Sequence, residues 1–330
     1  METFTELTKK GLTKLEEIGL LGQINRYKGD GYGTETSRTV RFNREYFENL
    51  FLKMRVINSQ NADTSANIFG QNVETPAMSG CMSNGWSGLL NIEEKAFEMI
   101  GKGLSEVGSI AWMGLGSKRQ LSSLTQQCEK VVKISKPFVE NERIINKIGQ
   151  AEEMGAIAVG TDISFSYGGK IGDKVFRKEK MGPKTAKDLR DIISTVNLPF
   201  IVKGVLSKED AIKARTAGAD AIVVSNHAGV VLDYAAHPLQ ILPNISKEIK
   251  EDMTIIVDSG FRRGTDILKG LALGADGVLM GINTVIGLAA NGYKGIRDLF
   301  EIVTDELKRA MSLTGCSKIR DINEEIVFQP

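Results

Sequence analysis

Asp162, Lys203, His227, Asp258 and Arg262 each lie just past a short apolar run, and their types suit proton transfer and anion binding. Histidine exchanges protons near neutral pH. An aspartate beside it fixes its tautomer and stabilises its charged form. His227, in S-N-H-A-G (Ser225–Gly229), and Asp162, at the end of an earlier run, suit that pair. The alternative for His227 is a satisfied structural histidine. Lys203, in I-V-K-G, is a cation at a strand end, costly there without an anionic partner. It either stabilises negative charge developing on a bound cofactor ring or pairs with a strand-end carboxylate such as Asp162 or Asp258. His237, in A-A-H-P-L-Q, has no such placement and reads as structural.

D-S-G-F-R-R-G-T-D, from Asp258 to Asp266, suits an anion. Ser259, Gly260 and Gly264 let backbone N–H groups approach it, and Thr265 or Asp266 can cap a helix whose N-terminus favours negative charge. With Gly281 at the next strand end, the segment reads as a phosphate site; the alternative is an ordinary capped turn. P-A-M-S-G-C-M, Pro76–Met82, supplies small residues against which a flat ring can lie.

These residues need a scaffold that gathers strand ends, and the chain carries its signature. D-A-I-K-A-R-T-A-G-A-D from Asp210 and D-I-L-K-G-L-A-L-G-A-D from Asp266 match at identical offsets, and A-E-E-M-G-A from Ala151 is a weaker copy. Helix, tight turn and apolar strand form one unit of a repeating α/β architecture. Strand candidates lie near Thr75–Ser79, Ile110–Leu115, Val131–Ser135, Ala156–Asp162, Phe200–Lys203, Ala221–Ser225, Thr254–Asp258 and Gly277–Gly281. Helical patterns between them include Glu93–Glu106, Glu142–Met154, Thr185–Thr195, Lys208–Ala217 and Thr265–Leu273. Strands apolar on both faces and alternating with helices predict a parallel sheet, and eight units predict a (β/α)8 TIM barrel with its site at the C-terminal strand ends. Before it, a helix ending near Gly22, a polar loop from Gly29 to Thr36 and a helix around Arg44–Leu52 form an N-terminal helical cap; Gly295–Leu313 is a C-terminal closing helix. We expect one domain over residues 1–330, with a cap segment at 1–72, the barrel at 73–315 and a tail of ordered surface chain at 316–330.

The formal charge of +1 gives no case for nucleic acid or a membrane surface as partner. Three cysteines without paired spacing argue against a disulfide framework and a zinc site, so no metal is expected. With no signal segment and no run long enough to span a bilayer, a soluble cytoplasmic protein is expected.

Together these residues resemble the FMN-dependent α-hydroxy acid oxidase and dehydrogenase family (glycolate oxidase, lactate oxidase, flavocytochrome-type lactate dehydrogenase). The match starts at A-D-T-S-A-N-I-F-G-Q (Ala62–Gln71) and is strongest through L-P-F-I-V-K-G-V-L, S-N-H-A-G-V-V-L-D and D-S-G-F-R-R-G-T-D. The resemblance implies FMN as cofactor, His227 as catalytic base with Asp162 as its partner, and Lys203 near the flavin N1/O2 edge. It places Asp258, Ser259, Gly260 and Arg262 along the ribityl and phosphate groups, and Met78, Ser79 and Gly80 as the backbone facing flavin N5. Ser135, Ser225, Gly281 and Ile282 join the same cofactor set.

The departures bear on substrate. Where the family has His-Gly-Gly-Arg, whose arginine clamps the substrate carboxylate, this chain has Val230, which cannot make paired charge-assisted hydrogen bonds. The family's Gln-x-Tyr is replaced in the neighbourhood of Lys133 and Ser135, its arginine-bearing lid by S-F-S-Y-G-G-K-I-G, and its second phosphate arginine by Ile282. The expected function is therefore FMN-dependent oxidation, with hydride transfer between substrate carbon and flavin N5, of a small molecule other than a standard short 2-hydroxy acid. Lys133, Lys170 or Lys118–Arg119 are candidates to replace the clamp. The alternatives are a non-redox FMN-dependent isomerase, similar to type 2 isopentenyl diphosphate isomerase, and a catalytically inactive flavin-binding protein. By analogy the protein is a homo-oligomer, a tetramer.

Overall fold

The computed structural model describes residues 2–28, 31–83 and 93–330; Gly29 and Asp30, the start of the expected polar loop, lie outside the described residues. Eight strands form one sheet: β1 (Ala77–Ser79), β2 (Ala111–Met113), β3 (Val131–Ser135), β4 (Ala158–Asp162), β5 (Phe200–Val205), β6 (Ala221–Val224), β7 (Thr254–Val257) and β8 (Gly277–Met280). Their order is β1-β8-β7-β6-β5-β4-β3-β2, and every ladder is parallel. The edges meet where the Ser79 N–H donates to Ile110 O at 3.3 Å and Met82 bridges Met113. The expected (β/α)8 barrel is thus the architecture.

Alternation along each strand splits the apolar residues between two layers. Met78, Trp112, Ile134, Ala158, Ile201, Val223, Ile256 and Leu279 fill the barrel interior. Val131, Val159, Val202, Ile222, Val257 and Val278 face the helices. Each such side chain, fully buried, contributes about 1.5–3 kcal/mol. The outer helices are Glu93–Glu106, Lys118–Thr125, Asn141–Glu153, Ala186–Ile193, Lys208–Thr216, Pro238–Ile249 and Gly264–Ala272. Thr185 and Ser207 cap two of them through their side chains, which receive the backbone N–H groups of Asp188 and Asp210. The closing helix runs from Gly281 to Leu313, longer than expected, and breaks its own geometry at Asn291 and Gly292.

The structure differs from expectation before β1. The first amphipathic stretch is two helices, Phe4–Glu17 and Leu21–Lys28, parted by Gly19 at φ +76°. The next helix is Arg38–Glu48, earlier than Arg44–Leu52, because the Asp233 carboxylate receives the N–H groups of Thr36 and Thr39 at 2.8 and 3.0 Å and fixes its start. Phe51–Leu52 instead pairs antiparallel with Val327–Phe328 in the tail. A hairpin, Ala66–Ile68 with Gln71–Val73, places Ile68 and Val73 in the interior cluster, and the Phe69 ring lies 6.0 Å from Trp112. It plugs the barrel. A second hairpin, Gly169–Ile171 with Lys174–Phe176, follows β4 where the Gly-rich lid was expected. Among the described residues, no helix is long and apolar enough to cross a membrane.

Candidate active site

Inward parity continues past the strand ends, and it selects which side chains reach a common cavity of about 440 Å³, within the range of about 300–1,000 Å³ for small-molecule sites. Asp162, Lys203 and Asp258 carry the interior alternation of β4, β5 and β7 to this cavity, and Lys136 does so beyond Ile134 of β3.

His227 enters through a strained turn. His227 and Ala228 both have φ +52°, a conformation that costs non-glycine residues about 1–3 kcal/mol and recurs at functional sites. The turn is held by two contacts. Ser225 Oγ accepts the His227 N–H at 3.0 Å, and Asn226 exchanges two side-chain amide hydrogen bonds with Asn43 of the Arg38–Glu48 helix, at 3.1 and 2.6 Å. The imidazole Nδ1 lies 3.2 Å from Asp162 Oδ2 and 2.9 Å from Ser164 Oγ; that hydroxyl donates to Asp162 Oδ1 at 2.7 Å. With both neighbours accepting from it, Nδ1 carries the proton and Nε2 is left with a lone pair. The ring keeps 20% exposure.

Lys136 Nζ also contacts Asp162 Oδ2, at 2.9 Å, and lies 4.0 Å from the centre of the Phe165 ring. Burial pushes the Asp162 carboxyl up, but Lys136, His227 and Lys203 overcome it and hold its pKa well below the ordinary value. For His227 burial wins: it lowers the pKa, Asp162 opposes it, and Lys136 adds to the lowering. The arrangement holds a neutral imidazole beside a permanently ionised aspartate. Lys203 donates to Asp258 Oδ2 at 2.9 Å and Ser225 Oγ at 3.0 Å. Burial alone would lower its pKa; Asp258 and Asp162 raise it instead, so the ammonium stays charged.

The other end suits an anion. Gly281 lines the cavity, and a Cβ built on it would meet only the Gly80 Cα, at 3.8 Å. The helix that begins there has no side-chain cap, so its first N–H groups are available to a ligand. The Arg262 guanidinium stands beside it over the Tyr27 ring, 4.3 Å from the centre, and donates to Tyr27 O. Burial lowers its pKa to about 10, which leaves it cationic. Gly260 at φ +95° has no room for a side chain, since a Cβ would lie 2.4 Å from Asn43 O. The expectation that Gly264 offers its N–H to the anion is corrected: that group donates to Glu306 at 2.9 Å, and Asp266 takes the N–H groups of Arg262 and Arg263. A flat ring beside Gly80 and Lys203, with an anionic tail at Gly281 and Arg262, fits these walls.

Among the expected site residues, Gly80, Ser135, Asp162, Lys203, His227, Asp258, Ser259, Gly260, Arg262, Gly281 and Ile282 line the cavity. Met78, Ser79 and Ser225 do not. Met78 faces the barrel interior, where its sulfur accepts from Trp112 Nε1 at 3.3 Å; Ser79 Oγ accepts the Trp112 N–H at 2.8 Å; Gly80, Cys81 and Ser83 form that wall instead. Ser225 sits behind Lys203. Lys133 shares the outward parity of Val159, its ladder partner, and its ammonium donates to Gly114 O outside the cavity; burial lowers its pKa to about 8. Lys170 pairs with Glu35 at 3.1 Å, and Lys118 and Arg119 are exposed on their helix; none of the three lines the cavity. His237 is fully buried, stacked on Tyr46, and caps the Pro238–Ile249 helix by accepting the Leu239 N–H at 3.1 Å. Lys136, Ser164 and Arg177 went unnoticed in the sequence. Counting parity forward from Ile134 would have found Lys136.

Comparison with known proteins bears on the fold and the family. The solved structures similar in fold include mandelate oxidase with (S)-4-hydroxymandelic acid, at a TM-score of 0.85, 22% identity and coverage of 99% of this chain and 98% of that one. A peroxisomal (S)-2-hydroxyacid oxidase of Arabidopsis thaliana is 27% identical over 99% of this chain and 95% of its own length; 2-hydroxyacid oxidase 1 of Mus musculus is 28% identical over 89% and 90%. A second Arabidopsis thaliana (S)-2-hydroxyacid oxidase reaches 41% identity, but over 43% of this chain and 39% of its own length. The model of the FMN-dependent dehydrogenase family matches residues 30–171 and 168–329, and with that match spanning nearly the whole chain, the protein belongs to the FMN-dependent dehydrogenase family.

Proposed function

We propose that this FMN-dependent oxidoreductase oxidises a hydroxyl-bearing carbon to a carbonyl, with His227 as the base. The carrying observation is the His227–Asp162–Ser164 arrangement, which fixes the proton on Nδ1 and leaves Nε2 as the acceptor. FMN, when bound, would supply the two-electron acceptor for the hydride that leaves the substrate C–H bond. His227 Nε2 takes the hydroxyl proton, and Asp162 stabilises the imidazolium so formed. Lys203 supplies a fixed positive charge at the cofactor ring; Arg262 and the N-terminus at Gly281 hold the phosphate.

Val230, 6% exposed, stands where the resemblance puts a carboxylate-binding arginine, which supports a substrate other than a short 2-hydroxy acid. The cavity and the intact His227–Asp162 pair speak for an enzyme rather than an inactive binding protein. Three free cysteines are consistent with the reducing, cytoplasmic setting included in the proposal; homo-oligomeric assembly enters by analogy alone.

The test is an absorption spectrum of purified protein before and after anaerobic addition of a panel of hydroxy acids and alcohols. Bleaching of the flavin by one of them, lost by about 10²–10⁴-fold in rate in a His227→Ala variant that keeps its FMN, is the expected result. Turnover that needs reduced flavin without net electron transfer would favour the isomerase. A colourless protein that takes up no FMN would overturn the reading.

A further inference from the structure

Resting on the flavin oxidoreductase reading above, we propose that Arg177 holds the acid group of the substrate, and that this group is separated from the reacting carbon by an apolar spacer. Among the described residues, five cationic side chains line the cavity: Arg44, Lys136, Arg177, Lys203 and Arg262. Three are neutralised: Lys136 by Asp162 at 2.9 Å, Lys203 by Asp258 at 2.9 Å and Arg44 by Asp266 at 2.8 Å. Arg262 stands at the end suited to the cofactor phosphate, against Tyr27. Arg177 enters no ion pair and no hydrogen bond among the described residues. A guanidinium on a cavity wall that enters no ion pair among the described residues is a site for an incoming anion, and carboxylate matches its paired donors.

The position of Arg177 sets the length of the substrate. It follows the Lys174–Phe176 strand of the hairpin beyond β4, with φ +61°. That hairpin is fastened over the cavity. Gly172 bridges Thr34, its N–H donates to Gly33 O at 2.9 Å, and the Lys170 N–H donates to Val230 O at 2.8 Å. Between Arg177 and the base stands an apolar wall. The Phe165 ring is 5.3 Å from the His227 ring and 5.7 Å from the Phe176 ring, and Ile171 and Val230 extend the wall. Beside Asp162, the partner of His227, Lys136 is committed to that carboxylate and to the face of Phe165. A substrate bearing its acid next to the reacting carbon would leave Arg177 unmatched and set its charge against Val230. A substrate with an aromatic or branched aliphatic body and a terminal carboxylate satisfies both the wall and the arginine.

The experiment titrates the FMN-loaded protein with 4-phenylbutyrate, its uncharged amide and glycolate, following the change in flavin absorbance. The expected result is that 4-phenylbutyrate binds more tightly than either comparison ligand. In Arg177→Met its Kd rises by about 10- to 100-fold, with amide binding and FMN content unchanged, and Arg177→Lys recovers part of the loss. Absence of 4-phenylbutyrate binding to the FMN-loaded wild type, or a Kd unchanged in Arg177→Met, would overturn the inference while leaving the flavin reading intact. Loss of FMN from Arg177→Met without selective loss of acid binding would overturn it too, by assigning the arginine to the cofactor. Failure of the wild type to take up FMN would remove the flavin reading itself, and this inference with it.

Discussion

Burial, one carboxylate and two lysines decide how His227 behaves. Asp162 faces the imidazole from β4, Ser164 from the turn beyond it, Lys136 from beyond β3 and Lys203 from β5, while Phe165 covers the ring at 5.3 Å. Burial and the Lys136 charge both disfavour the imidazolium, so the pKa lies below its ordinary value. A base must be deprotonated to act, so kcat/KM is full above that lowered pKa and falls as pH drops through it. Lys136→Met removes a repelling charge and frees Asp162 for the imidazole; both raise the pKa. The acidic limb of the kcat/KM profile is therefore expected to move up in pH, with FMN content unchanged. A limb that stays in place would show that His227 does not sense Lys136. His227, Asp162 and Lys203 were legible in the sequence because each lies at or just past the end of an apolar run. Ser164 was not, since nothing about a serine in a Gly-rich turn announces that its hydroxyl bridges an aspartate to a histidine from another strand.

At the scale of elements, a bulge places the hydroxyl. The β5–β6 register shifts between Lys203 and Val205, and Gly204 sits there at φ +91°. A Cβ on Gly204 would lie 2.8 Å from Ser164 N and 2.5 Å from Ser164 Cβ, so the glycine makes room for the turn that carries the bridging serine. Gly204→Ala costs about 1–2 kcal/mol for the left-handed backbone alone and displaces Ser164. Thermal melts should show the lost stability. The rate of flavin reduction should fall by more than that of a Ser164→Ala variant that keeps the glycine, because the whole turn moves; equal rates would place the effect in the hydroxyl alone. The strands themselves were legible from their two-sided apolar runs. The plug hairpin was not, because its Phe69–Gly70 turn is not an Asn-Gly or Asp-Gly signal, and its strands earn their place only by contact with Trp112 and Met78.

For the whole molecule, contacts around the cavity join the barrel to its N-terminal cap. Arg262 lies against Tyr27, Arg44 joins Gly260 O to Asp266, and Asn43 holds Asn226, so the cavity is shared between cap and barrel. A ligand that binds only the folded chain at 100 times its Kd stabilises it by about 2.7 kcal/mol, a rise in Tm of roughly 3–8 °C. FMN added to apoprotein should raise Tm by that order. Arg262→Met should cut the rise by weakening FMN about 10- to 100-fold. An undiminished rise would remove the phosphate role from this arginine.

The sequence by itself determined the barrel, the cofactor class and the pairing of His227 with Asp162. Repeating helix–turn–strand units leave few ways to bury apolar strands, and residues that end those strands must meet on one rim. Only the tertiary structure decided which partner each lysine near that rim meets, Gly114 O for Lys133 and Asp162 for Lys136. Lys133 and Lys136 are three residues apart, yet side-chain alternation turns one toward the helices and the other into the cavity. It also placed Arg177, on a hairpin, at the cavity wall with no ion pair among the described residues. Charge pairing depends on distances between segments far apart in the chain, and no local pattern encodes them.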